Sequence, residues 1–154
     1  MSDRTFCQME AKDLSLAVAT LVAAAFHAED GYHGTELVDM AKDLMSAGQL
    51  TIEEIPCGYS DALFTAVRAV VQETGIDFRF RLWEDPAYQW LGTMHYHIPG
   101  LNDVSSDCDA NGQILVNGPS IVEMLDSPLY TATAAAMNWL RNAACAAHVQ
   151  AWNA

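Results

Sequence analysis

The chain has 154 residues with a hydrophobic fraction of 51% and a charged fraction of 18%, which is too apolar for a disordered chain and fits one domain with its own core. Twenty Asp and Glu oppose seven Lys and Arg, giving a formal net charge of −13. That balance leaves no basic stripe to neutralise nucleic-acid phosphates or to dock on an anionic membrane, and it favours association with basic protein surfaces.

Four cysteines, Cys7, Cys57, Cys108 and Cys145, are widely spaced with no CxxC pair. They read as free thiols of a reducing cytoplasm, not as a disulfide framework or a zinc site.

In chain order, residues 3–9 suggest a short opening strand. A helical pattern runs from Glu10 to about Glu29, with Leu14, Val18, Leu21, Val22 and Ala25 on one stripe. Its uncharged core, Leu14 to His27, follows a segment of net negative charge, unlike a secretory leader. It also falls short of the ~20 residues that cross a bilayer. A second helix is expected from the N-cap Thr35 to Ala47, ending at Gly48, with Leu37, Met40, Ala41, Leu44 and Met45 inward. Glu36, Asp39 and Asp43 then share the solvent side, offset only by Lys42.

Residues 50–55 are ambiguous, since Thr51 and Glu54 resemble a capping box that Pro56 would cut short. A third helix begins at Ser60 or Asp61, buries Leu63, Phe64, Val67, Val70 and Val71, and stops at Gly75. The period then changes to two. Phe78, Phe80 and Leu82 alternate with Arg79 and Arg81, and after Glu84-Asp85-Pro86 a further strand alternates Trp90, Met94, Tyr96 and Ile98 with Thr93, His95 and His97. Asn111-Gly112 marks a hairpin between 104–109 and 113–117. Two helices follow, at about 120–126 and from the N-cap Ser127 and Pro128 to about Gln150. The last is alanine-rich, and no acidic residue occurs after Asp126. The expected fold is a single α+β domain over 1–154. A three- to four-stranded antiparallel meander at about 77–117 would pack against N-terminal helices and a long C-terminal helix.

Three constellations carry chemistry. Asp107, Asp109 and Asn111, with Gly112 following, match the start of a calcium loop, but Gly118 stands where a bidentate carboxylate belongs, and the hairpin accounts for the same residues. Arg79, Arg81, His95 and His97 would share one sheet face if the strands pair with Phe80 opposite that face. Such a patch could hold an anion or, with Asp77, Cys57 or Cys108 as third ligand, a divalent metal. The simpler account pairs the two arginines with the surplus carboxylates. Cys57-Gly58 lies just before a helix start, where a thiol can be activated, yet no His or Asn partner is placed by the sequence.

The third constellation is Trp83, Tyr88, Trp90 and Tyr96 around the Glu84-Asp85 turn. Trp90 and Tyr96 read as core, while Trp83 and Tyr88 could be either core or contact residues.

These features lead to a non-enzymatic, acidic protein-binding module with no cofactor. Its contact residues would be Glu36, Asp39, Asp43, Glu53, Glu54, Trp83, Glu84, Asp85 and Tyr88, and its partner a protein with a basic surface. Carboxylates at helical spacing can stand in for phosphates, so the partner could be a nucleic-acid-handling protein inhibited by charge mimicry. Antirestriction and anti-CRISPR inhibitors use that strategy, and the similarity to them is one of charge and size. The alternatives are a small-ligand- or metal-binding protein or enzyme with its site at the arginine–histidine face, or a structural subunit that self-associates through the C-terminal helix.

Overall fold

A computed structural model describes residues 4–30, 37–87, 91–115 and 146–154. Among them one sheet organises the chain. The elements run β1 (Arg4–Lys12), α1 (Leu16–Asp30), α2 (Leu37–Ala47), β2 (Gln49–Pro56), α3 (Ser60–Thr74), β3 (Arg79–Glu84), β4 (Gly92–His97) and β5 (Val104–Cys108), followed by a helix, α4, over residues 146–153. The α+β class is as expected. The strands lie in the order β2-β1-β3-β4-β5 with every neighbouring pair antiparallel.

The consecutive strands β3, β4 and β5 form an antiparallel meander within a sheet of five described strands, where three or four were expected. The two further strands come from segments that the sequence left short or undecided. β1 alternates the buried Cys7, Met9 and Ala11 with polar residues as far as Lys12, where a helix was expected from Glu10. Asp13, at φ 65°, breaks the strand, and Ser15 Oγ accepts the Val18 N–H at 3.3 Å to start α1. β2 resolves residues 50–55 as the outer strand, where Pro56 removes no ladder bond needed by a further neighbour. The β1–β2 register shifts between Thr5 and Cys7, a β-bulge.

α1, α2 and α3 cover one face of the sheet. Val18, Ala19, Val22, Ala23 and Phe26 of α1, Met40, Ala41 and Leu44 of α2, and Leu63, Val67, Val70 and Val71 of α3 bury against Met9, Phe80 and Leu82. α1 packs against both of the other helices. Two expected core positions are corrected: Leu21 of α1 and Met45 of α2 are exposed. The stripe is rotated so that Ala19, Ala23 and Phe26 turn inward.

α4 lies on the opposite face, where Trp152 joins Trp83, Met94, Tyr96, Ile98 and Cys108 in a second apolar cluster. Lys12 Nζ donates to the Trp152 carbonyl and Arg79 Nη1 to that of Ala151 at 3.0 Å. Two cations thus satisfy two of the orphan carbonyls at the α4 C-terminus. The described part of the last helix is short, and the expected starts at Ser120, Ser127 and Thr35 lie outside the described residues, as does Trp90.

Candidate functional site

The pairing of β3 with β4 decides which polar groups can meet. Phe80 pairs with His97 and Leu82 with His95, whereas Arg81 pairs with Tyr96. Directly paired residues point to the same side of a sheet. His95 and His97 therefore lie under the helices, and Arg79 and Arg81 lie on the α4 face. The expected four-residue patch does not form, because both faces of β4 are core faces and the alternation of His with Met and Tyr marks two cores instead of core and solvent.

Each arginine has local partners. Arg79 bridges to Asp13 at 2.9 Å, and Arg81 to Glu10 at 2.7 Å while lying over the rings of Trp83 and Trp152. Lys12 also lies over the Trp152 ring, 4.5 Å from its centroid. Among the described residues no group of three or more His, Cys, Asp or Glu is placed to hold a metal ion.

Beneath α3 lies a buried polar network. Glu84, 2% exposed at the end of β3, accepts the Gly58 N–H at 2.6 Å through Oε1 and the Ser60 N–H at 3.2 Å through Oε2. The α3 N-terminus carries no side-chain cap of its own at Tyr59, so this long-range carboxylate replaces the Ser60 or Asp61 cap expected from the sequence. His95, 1% exposed, sets Nε2 3.0 Å from Ser60 Oγ and Nδ1 2.8 Å from Ser105 Oγ, with the Phe64 ring stacked on it at 5.2 Å. Burial lowers the His95 pKa, and the charges of Asp61 and Glu84 oppose that shift only in part. His97 is held between Asp103 and Asp77, each 2.6 Å from a ring nitrogen, and Asp103 pairs in turn with Arg68 at 2.7 Å. Burial works to raise the Asp103 pKa, but the hydrogen bonds and charges of His97 and Arg68 outweigh it and hold the carboxyl below its usual range.

The Ser60–His95 spacing is that of a nucleophile and its base, yet the surroundings do not favour catalysis. Ser60 is 2% exposed, and the backbone N–H groups that could stabilise an oxyanion already bind Glu84. The network instead ties α3 to β3, β4 and β5. Sequence reasoning noticed both histidines but not Ser60, Asp61, Ser105 or Asp103 as their partners. These contacts join residues far apart in the chain, and only the sheet register brings them together.

The expected contact residues divide. Asp39 and Asp43 stand exposed on α2, Asp39 3.3 Å from Lys42. Trp83 and Glu84 are core, which corrects their place on a contact surface. Among the described residues the buried Trp83 indole N–H makes no hydrogen bond of ordinary geometry. Asp85 is partly buried, accepts from Gln8 Nε2 at 3.3 Å, and has its pKa raised by burial. Glu53 and Glu54 lie in β2, and their side chains, together with Glu36 and Tyr88, are outside the described residues.

In the loop after β5, Asp109 Oδ1 accepts the N–H groups of Asn111 and Gln113 at 2.8 and 2.9 Å, and Cys108 forms an antiparallel bridge with Ile114. Asp109 thus organises a turn, with Asp107 and Asn111 exposed beside it. Cys7, Cys57 and Cys108 are thiols, and burial pushes the Cys108 pKa up to about 12. Among the described residues no helix is long and apolar enough to cross a membrane.

With this geometry in view, no family model, no curated protein and no solved structure matches the chain.

Proposed function

We propose that the protein is an acidic binding module whose exposed carboxylates engage a basic surface on another protein. Its most specific form is an inhibitor that occupies the nucleic-acid-binding surface of its target. The observation that carries this reading is the way the cations are used. Lys42, Arg68, Arg79 and Arg81 all sit in ion pairs, and Lys12 is committed to Trp152. Asp43, Asp61, Glu73 and Asp107 meanwhile stand exposed on a chain of net charge −13. With these cations engaged by the chain's own carboxylates, carbonyls and rings, the exposed carboxylates leave a negative field that speeds encounter with a basic partner and repels nucleic acid.

The test is capture of partners on the immobilised protein at low and high salt, followed by competition with the captured partner's own nucleic acid. A basic protein retained only at low salt and displaced by that nucleic acid is the expected result. A partner that stays bound at high salt and ignores nucleic acid would remove the charge-mimic reading.

A further inference from the structure

The helix layer has an apolar surface that the sheet does not use. Leu16 is 62% exposed and Leu21 46% exposed on α1, with Ala17, Thr20 and Ala28 also exposed along the same outer side. From Leu16 to Ala28 this helix carries no Asp, Glu, Lys or Arg. Met45 near the end of α2 and Ile76 just beyond α3 are exposed as well.

The topology gathers these residues. The Gly48 carbonyl after α2 accepts the Ala11 N–H, and Arg79, which opens β3 after α3, pairs with Lys12. The start of α1, which follows Lys12, and the ends of α2 and α3 therefore meet at one end of the layer. Leu16, Met45 and Ile76 all belong to that end.

The same end is negative. Asp43 in α2 and Glu73 in α3 are exposed, and neither helix has a basic residue in its last turn. A helix C-terminus carries partial negative charge, so an acidic group there is locally unfavourable and a cation favourable. Among the described residues neither last turn supplies one: Lys42, earlier in α2, is paired with Asp39, and Lys12 and Arg79 are engaged on the α4 face.

We infer that this end of the helix layer docks an amphipathic helix whose apolar face covers Leu16, Leu21, Met45 and Ile76 and whose flanking Lys or Arg reach Asp43, Glu73 and the ends of α2 and α3. The inference rests on the acidic-module reading and adds to it the form of the partner. A second copy of the chain would set like charges against each other around the apolar stripe, and an anionic membrane would do the same.

The probe is a synthetic helix of about 18 residues, with Leu on one face at i, i+3, i+4 and i+7 and Lys elsewhere. A control peptide of identical composition has its order permuted so that no apolar face exists. Binding of each is measured by fluorescence anisotropy across a salt series, with circular dichroism confirming that each protein variant is folded. The amphipathic peptide is expected to bind at least about tenfold more tightly than the permuted one. L16S/L21S should abolish that difference, and D43N/E73Q should weaken both peptides and flatten the salt dependence.

Equal binding of the two peptides, unaffected by L16S/L21S, would overturn the docking surface and leave the acidic reading standing. Absence of salt-dependent binding to either peptide would overturn both. Self-association of the protein that L16S/L21S abolishes would give the face to a second copy and overturn the inference.

Discussion

Glu84 shows how much a single side chain carries here. Its carboxylate is the cap of α3, and removing it leaves the Gly58 and Ser60 N–H groups without an acceptor. Glu84→Ala is expected to destabilise the fold by about 2–3 kcal/mol, read as a lower urea midpoint at unchanged slope, and Glu84→Gln by roughly half as much. An unchanged midpoint for Glu84→Ala would mean that the cap contributes nothing. His95 supplies a separate test. Its folded pKa is depressed, so the unfolded chain binds more protons, and its contribution is present above pH 6.5 and is lost as the pH falls toward the folded pKa. A proton NMR titration should place the His95 midpoint below 6.5, and a midpoint above that value would contradict the burial argument. Asp103 acts in the same direction but lower, its contribution being lost only as the pH falls below 3.8. Asp85, with a raised pKa, has the opposite sign and favours the folded state more in acid. Of this network the sequence pointed to the two histidines and to Asp77, which lies against His97. Hydrogen-bond partners such as Ser60 and Asp103 carry no signal of their own until β4 is set in register between β3 and β5.

At the scale of elements, legibility followed periodicity. α3 is amphipathic and bounded by Gly75 at φ 67°, and it was readable from its leucine and valine spacing to its last residue. α1 is apolar on most sides, so its pattern does not say which stripe faces the sheet, and Leu21, on the stripe the spacing favours, is exposed. β4 misled for the related reason that a strand buried on both faces can still alternate apolar and polar residues when the polar ones are satisfied histidines. Two close approaches govern how the meander closes. A Cβ on Gly92 would lie 2.4 Å from the Glu84 carbonyl oxygen and 3.0 Å from that of Cys108, both of them backbone. Gly92→Ala must therefore move β4 away from its neighbours, and we expect a loss of about 3 kcal/mol in chemical denaturation; a wild-type midpoint would show that the approach is not tight. Trp152 anchors α4 through its contacts with Lys12 and Arg81. Trp152→Ala should destabilise the protein by roughly 3–5 kcal/mol, and a loss below about 1 kcal/mol would mean that α4 adds little to the fold.

Across the whole molecule, the charge distribution links fold to proposed activity. One sheet separates a helix layer with exposed Asp39, Asp43, Asp61 and Glu73 from an α4 face where Arg79 and Arg81 are spent on carboxylates and helix-end carbonyls. The sign of the net charge was legible at once, but its placement was not, because helix periodicity does not say which residues of different helices become neighbours. The placement also revises the contact set. Trp83 and Glu84 leave it, Asp85 is partly buried, and Asp39 and Asp43 are its exposed described members. The most direct measurement of the central claim is the affinity of the captured basic partner for wild type and for D39K/D43K over a series of salt concentrations. We expect wild-type affinity to fall steeply with salt, and the charge-reversed protein to bind at least about tenfold more weakly with a shallower dependence. Equal affinity and equal salt dependence for the two proteins would show that the acidic helices do not form the binding surface.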